Sequence, residues 1–156
     1  MRTLIFAFLA LLAMPVLAQD GGHYDNARFG YGVDIPPGFE GNGESDNGDG
    51  QSFQQPGQAQ GLTIWGGNLL GDLENEVASA IRSAEGEAWN ITAQTVTPRW
   101  ADLSAIKGFR VFHQRMVLLC DGQSYAAFRT EYSAADSAEM EPILNTLTRS
   151  LRGDCG

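Results

Sequence analysis

The sequence predicts an α+β fold, in which a mostly antiparallel sheet has one helix after its third strand and one helix at the C-terminus. Apolar residues alternate at every second position in several short segments, and Gly, Asn and Asp turn dipeptides separate these segments. In two other segments they recur at helical spacing. With 43% hydrophobic and 10% aromatic residues, the composition is that of a globular chain and excludes disordered and collagen-like classes.

Three strands are predicted before the first helix. The first has apolar residues on one face, at Phe29, Tyr31, Val33 and Ile35. Residues 41–61 are rich in turn-forming residues, but a structureless stretch of that length would be unusual in a compact domain. We therefore place a short second strand at residues 51–54 and a third at 61–65.

The first helix is predicted from an N-cap at Asp72 through Ala84, and Gly86 ends it. Its apolar stripe consists of Leu73, Val77, Ala80, Ile81 and Ala84. Strands at residues 91–96, 100–103, 108–120 and 123–132 then form an antiparallel meander. The C-terminal helix is predicted at about 137–152 and should lie across the sheet.

Residues 1–18 have the features of a cleaved signal peptide. Arg2 precedes an apolar run at residues 4–13, and Val16-Leu17-Ala18 supplies small residues for cleavage near Ala18. A membrane anchor is the alternative, but this run is too short to cross a hydrocarbon layer about 30 Å thick. We expect residues 19–156 to form one domain in the periplasm or outside the cell, with no membrane span in the mature chain.

The mature chain is strongly acidic. Without Arg2, nine basic residues stand against nineteen acidic ones, which gives a net charge of −10 with neutral histidines. This charge argues against nucleic acid as a partner, and points to solubility, a cationic partner or a divalent cation.

The two cysteines, Cys120 and Cys155, are predicted to form a disulfide bond, because an even number in an exported chain usually indicates a bridge. Two free thiols are the alternative. A redox role is disfavoured, since the spacing is not Cys-x-x-Cys.

The order of elements and several phrases resemble the PsbP-like superfamily, which includes small uncharacterised exported bacterial proteins. The phrases are Tyr24–Tyr31 (YDNARFGY), Ile35–Phe39 (IPPGF), Asn47–Phe53 (NGDGQSF) and Ile143–Leu151 (ILNTLTRSL). The resemblance implies a single αβα domain over residues 19–156. These phrases are structural and specify no chemistry, so the resemblance implies a fold more than a function.

An acidic loop at residues 42–49 is the densest cluster of oxygen ligands in the sequence, and Glu44, Asp46 and Asp49 are candidate calcium ligands. The EF-hand pattern fails, because Pro56 occupies the place of the bidentate glutamate. The alternative is that these residues form tight turns through side-chain hydrogen bonds to the backbone.

A candidate binding surface is predicted around His113 and Arg115, which share one strand face. A hairpin at Asp121-Gly122 would bring Tyr125, Arg129 and Glu131 to the same face. The arrangement could bind a small anion, or it could be a cross-strand ladder of charges and hydrogen bonds. His23 is expected in the N-terminal tail, away from this surface.

Trp100, with Trp65 and Trp89, could form a ligand platform, and core packing is the alternative. No nucleophile elbow and no phosphate-binding glycine loop occurs in the sequence. We therefore predict a noncatalytic periplasmic binding domain for a protein partner or an envelope component, without a cofactor. One alternative is a calcium-dependent interaction module that uses the acidic loop, and another is a small hydrolase that uses His113 as base.

Overall fold

The computed structural model describes residues 21–156, so the predicted signal peptide at 1–18 lies outside the described residues. Five strands precede the first helix: β1 (Gly22–Asn26), β2 (Tyr31–Ile35), β3 (Glu40–Glu44), β4 (Gly50–Gln54) and β5 (Gly61–Asn68). After α1 (Leu73–Gly86) come β6 (Asn90–Val96), β7 (Trp100–Lys107), β8 (Arg110–Leu118) and β9 (Ser124–Ser133). A 3-10 turn (Ala134–Asp136), α2 (Ser137–Ser150) and β10 (Arg152–Gly153) complete the chain.

The strands form two antiparallel sheets. The large sheet has the order β3-β4-β5-β9-β8-β7-β6, and the small sheet has the order β1-β2-β10. β6 to β9 form the predicted antiparallel meander, and β9 also pairs with β5 on its other side. This pairing places β9 and β5 in the middle of the sheet, where every residue of β9 is buried or half-buried and alternate residues of β5 are buried.

Helix α1 packs against one face of the large sheet, which we call the α1 face. The Asp72 side chain accepts a hydrogen bond from the Asn75 N–H at 2.8 Å, and Glu74 and Glu76 lie in the positive first turn. The apolar stripe of the helix then meets the sheet in a buried cluster: Leu73, Val77, Ala84, Trp89, Ala101, Leu103, Ala105, Phe112, Met116, Tyr125 and Ala127.

Helix α2 and the small sheet cover the opposite face, which we call the α2 face. Its buried cluster contains Tyr31, Val33 and Ile35 of the small sheet, Phe53, Leu62, Ile64 and Phe128 of the large sheet, and Leu147 and Leu151 at the end of α2. α1 contacts β6 and β8, whereas α2 contacts β2 and β9. Each face is therefore covered over a different part of the sheet.

The α+β class with two helices is confirmed, but α1 follows the fifth strand and not the third. The two unpredicted strands before α1 are β1 and β3, and neither has an alternating apolar face: β3 is exposed at every position, and only Tyr24 and Asn26 are buried in β1. β10 was also not predicted, because α2 ends at Ser150 and Arg152 lies in this strand. His23, which was expected in the N-terminal tail, lies in strand β1. Its Nδ1 lies 2.7 Å from Asp34 Oδ1, and this hydrogen bond is the main reason that the His23 pKa is raised.

Cys120 and Cys155 form the predicted disulfide bond, with Cα atoms 5.5 Å apart. The bridge joins the β8–β9 connection of the large sheet to the chain end that follows β10 of the small sheet. Among residues 21–156 no helix is long and apolar enough to cross a membrane.

Candidate functional site

The structure brings together three of the four predicted binding residues, Trp100, His113 and Arg115, on the uncovered end of the α2 face. In the β7–β8 ladder, Asp102 lies opposite Arg115 and Ser104 lies opposite His113. Arg115 Nη1 donates to Asp102 Oδ2 at 2.6 Å, and its guanidinium lies 4.8 Å from the centre of the Trp100 ring. We call these residues the α2-face cluster.

The α2-face cluster is largely shielded from water by its own members. The exposed fractions of the Arg115, His113 and Asp102 side chains are 15%, 19% and 26%. Burial alone would raise the pKa of Asp102, but contacts with His113 and Arg115 hold it below its ordinary value. Asp102 is therefore ionised at neutral pH, and its charge is paired with Arg115 on the neighbouring strand.

Ser104, His113 and Asp102 also resemble the residue types of a hydrolytic triad. Ser104 Oγ lies 3.1 Å from His113 Nδ1, and His113 Nε2 lies 3.7 Å from Asp102 Oδ1. However, all three residues project from the middle of a paired ladder, where backbone N–H groups are engaged between strands and do not form an oxyanion hole. The structure thus places Ser104 and Asp102 beside His113, and the hydrolase hypothesis stays a prediction.

Arg129 was predicted on the same face as His113, and this placement is wrong. The β8–β9 ladder pairs Thr130 with His113 and Arg129 with Gln114, so Arg129 projects from the α1 face. Tyr125 and Glu131, which were also predicted on the face of His113, project from the α1 face as well. The predicted register was shifted by one residue, which transfers every side chain of a strand to the other face.

On the α1 face, Arg129 is fixed by aromatic rings and by a carboxylate. Its guanidinium carbon lies 3.9 Å from the centre of the Phe112 ring and 5.3 Å from that of Trp89. Its Nη2 lies 2.7 Å from Glu131 Oε1, while Arg110 Nη2 lies 3.5 Å from Glu131 Oε2. The Arg129 Nε is buried and has no hydrogen-bond partner within the described part of the chain.

Three neighbouring cavities line the part of the α1 face that α1 leaves open. Their volumes are about 430, 300 and 280 Å³. Arg129 lines the first and second, Thr63 the first and third, and Trp65 the second and third. These shared walls make one depression between α1 and the connection from β4 to β5, and we call it the α1-face groove.

The groove has polar walls. The 430 Å³ cavity is lined by Gln54, Gln58, Ala59, Gln60, Gly61, Thr63, Arg110, Arg129 and Glu131. The 300 Å³ cavity lies under α1 and is lined by Trp65, Glu76, Ser79, Ala80, Ser83, Ala84, Gln114 and Arg129. The sequence contained a signal for this site, because Gln114 and Arg129 interrupt the apolar side of their strands, between Phe112 and Met116 and next to Ala127.

A further cavity of about 500 Å³ lies between β2 and α2, and Asp34, Asn145, Arg149 and Arg152 are among its walls. Arg149 and Arg152 are exposed, whereas the arginine of the groove is stacked on rings. Because an exposed arginine loses more conformational freedom when it binds a ligand, this cavity is less well prepared for binding than the groove.

In the acidic loop, the carboxylates are hydrogen-bonded to neighbouring side chains. Glu44 Oε1 accepts from the Tyr24 hydroxyl at 2.8 Å and from Asn26 Nδ2 at 2.9 Å. Asp49 accepts from Ser45 and Asn47, both at 2.8 Å, while Asp46 is exposed. Across residues 21–156, no group of three or more His, Cys, Asp and Glu side chains is arranged to hold a metal ion. A calcium role for Glu44, Asp46 and Asp49 stays a prediction.

No protein-family model and no curated protein matches the sequence. Structure comparison does find similar proteins. The solution structure of cyanobacterial PsbP (CyanoP) from Synechocystis sp. PCC 6803 has a TM-score of 0.68 at 11% identity, over 92% of this chain and 98% of that one. The crystal structure of the Saccharomyces cerevisiae Ran-binding protein Mog1p has a TM-score of 0.61 at 8% identity, over 85% and 95%. The chain therefore has the PsbP-like fold.

Proposed function

We propose that this protein is a noncatalytic interaction domain of the periplasm, and that it binds a protein partner through the α1-face groove. The observation that carries the proposal is the groove itself, where two of three adjoining cavities are lined by an arginine stacked on two aromatic rings. Tryptophan and arginine in such settings are the residues that contribute most to protein–protein affinity.

The groove is also prepared for binding in a way that the α2-face cluster is not. In both sites the arginine is engaged, Arg115 with Asp102 and Trp100 and Arg129 with Glu131 and Phe112, but Arg129 also lines two open cavities. In the groove, Trp65 is half-buried and Thr63 is exposed beside Arg129. A partner would therefore find an arginine and an aromatic surface that the fold holds in place beside open cavities.

Two further observations support the proposal. One protein of the same fold is a Ran-binding protein, so this architecture can serve protein recognition. The disulfide bond suits an oxidising compartment, in agreement with the predicted signal peptide. The location in the periplasm and the identity of the partner belong to the proposal.

Site-specific photo-crosslinking in cells tests the function. The full chain is produced in a bacterium with its own N-terminal segment, and p-benzoylphenylalanine is placed at Thr63 in the groove or, as a matched control, at Ser104 in the α2-face cluster. We expect a discrete adduct from Thr63 and none from Ser104. An adduct from Ser104 alone, or no adduct from either position, would refute binding through the groove.

The noncatalytic part of the proposal has a separate test. The purified protein is incubated with a fluorophosphonate probe, which labels serines activated by a neighbouring base. We expect no labelling above that of the Ser104→Ala variant. Labelling that requires both Ser104 and His113 would instead establish the hydrolase alternative.

A further inference from the structure

The 430 Å³ cavity of the groove has an excess of positive charge inside a protein that is acidic overall. Its charged walls are Arg110, Arg129 and Glu131, and its other polar walls include Gln54, Gln58 and Thr63. Two guanidinium groups against one carboxylate leave one positive charge, while the whole chain has a formal net charge of −9. An anionic group is thus attracted to this cavity and repelled by much of the remaining surface.

Arg129 is held in a fixed position, ready to bind. Four-fifths of its side chain is buried, since 20% is exposed, and the rings of Phe112 and Trp89 fix the plane of the guanidinium. Its Nε–H has no acceptor among residues 21–156. A buried donor without a partner costs free energy, and because this atom is closed to a ligand, an anion would contact the exposed part of the guanidinium.

Arg110 is the adjustable member of the pair. It is bound at longer distances than Arg129, 3.5 Å to Glu131 and 3.3 Å to the carbonyl oxygen of Ala59. These long contacts leave the guanidinium free to shift towards a second anion without breaking a short hydrogen bond. Arg110 and Arg129 could then hold one carboxylate from two sides, as arginines commonly do.

The end of the groove beneath α1 has no excess of positive charge. Glu76 lines the 300 Å³ cavity together with Arg129, and it accepts a hydrogen bond of 3.2 Å from the Tyr125 hydroxyl. An anion is therefore favoured near Arg110 over the position beneath α1. A segment lying along the groove would have one preferred direction, with its anionic group at the arginine end.

We propose that the groove receives a partner segment whose acidic side chain places its carboxylate between Arg110 and Arg129. This inference rests on the proposed function and adds the chemistry of the partner. A carboxylate fits better than a phosphate, because Glu131 remains in the cavity and a single negative charge balances the single excess positive charge.

The test uses two blocked peptides, acetylated at the N-terminus and amidated at the C-terminus. One has the sequence Ala-Thr-Glu-Thr-Ala, and the other has Gln in place of Glu. The exported full chain is titrated with each, and the side-chain Nε–Hε signal of Arg129 is followed by ¹H–¹⁵N NMR. We expect a saturable shift with the Glu peptide and an affinity about tenfold lower with the Gln peptide, as the loss of a charge-assisted hydrogen bond predicts.

Arg110→Gln should weaken binding of the Glu peptide about tenfold, while Arg99→Gln, which changes an exposed arginine in the β6–β7 turn, should leave it unchanged. Arg110 is chosen because Arg129 also packs on the core, so that its replacement could unfold the domain. Equal affinities for the two peptides, no saturable shift with the Glu peptide, or tighter binding of inorganic phosphate would each overturn the proposal. If the Thr63 adduct forms although the peptides bind equally, the carboxylate proposal fails and the interaction function stands.

Discussion

The two faces of the large sheet carry the same chemical unit in different surroundings. Each has an arginine bound to a carboxylate at 2.6 or 2.7 Å and stacked on an aromatic ring: Arg115 with Asp102 and Trp100 on the α2 face, and Arg129 with Glu131 and Phe112 on the α1 face. The α2-face unit extends through His113 to Ser104 within one ladder. The α1-face unit lines two cavities.

The difference shows that a binding site is not defined by residue type alone. On the α2 face, the paired strands β7 and β8 place Asp102 opposite Arg115 and Ser104 opposite His113, so the unit stabilises the sheet, although Asp102 Oδ1 and Arg115 Nε have no hydrogen-bond partner among residues 21–156. On the α1 face, the helix stops short of β4 and β5, and the unit lies at the boundary between covered and open sheet. Where an element ends, fixed polar groups remain available to a ligand.

The largest effect is expected from loss of the disulfide bond. Cys120→Ser with Cys155→Ser opens a crosslink of sequence separation 35, which should lower the free energy of unfolding by about 3–4 kcal/mol in urea titrations. Because the bridge holds the chain end that follows β10, hydrogen exchange should increase first in β2, β10 and α2. If α1 lost its protection first, the bridge would not be stabilising the α2 side selectively.

Removing one carboxylate from each unit should separate their structural roles. Asp102→Asn leaves the mostly buried Arg115 without its counter-ion and should cost about 2 kcal/mol of unfolding free energy. Glu131→Gln should cost only about 0.5–1 kcal/mol, because 38% of the Glu131 side chain is exposed. If the two variants lost equal unfolding free energy in chemical denaturation, the α2-face unit would not be more important for stability than the α1-face unit.

Filling the groove should change binding and not stability. Ser79 lies on the exposed side of α1 and lines the 300 Å³ cavity, so Ser79→Trp should reduce the yield of the Thr63 adduct about tenfold. Ser104→Phe in the α2-face cluster is the matched control and should leave the yield unchanged. If Ser104→Phe reduced the adduct yield at an unchanged melting temperature, binding would involve the α2 face, against the proposal.

The smallest effect is a pH dependence. The pKa of Asp102 is lowered in the folded protein, so its contribution to stability is present above the unfolded value near 3.8 and is lost as the pH falls through the folded value. Unfolding free energies measured between pH 6 and pH 3 should therefore fall less steeply in Asp102→Asn than in the parent chain. Identical slopes would mean that Asp102 is not preferentially bound in its ionised form.

Much of the fold follows from pattern. The alternation in β2 and the stripe of α1 predict these elements because one side of each is buried, and the Asp72 cap fixes where α1 begins. β3 could not be predicted, since its residues Glu40–Glu44 are all exposed and two are glycines. It forms because β4 offers a free edge and not because of its own apolar residues.

The candidate site was only half predictable for a different reason. His113, Arg115 and Trp100 lie close together because alternation within β7 and β8 decides their face. Arg129 depends on the register of the β8–β9 hairpin, in which Leu118 pairs with Tyr125. The turn at Asp121-Gly122 can be predicted from the sequence, but the number of residues outside the ladder cannot, and a shift of one residue moves Arg129 to the other face.

The most direct test of the central claim is the paired crosslinking of Thr63 and Ser104 in cells, measured as the ratio of the two adduct yields. Both positions are on the same sheet and both lie beside an arginine–carboxylate unit, but they project from opposite faces, and Thr63 is exposed whereas Ser104 is half-buried. The proposed interaction through the α1-face groove predicts a ratio well above one that falls in the Arg110→Gln variant. A ratio at or below one would contradict it and place the binding surface on the α2 face.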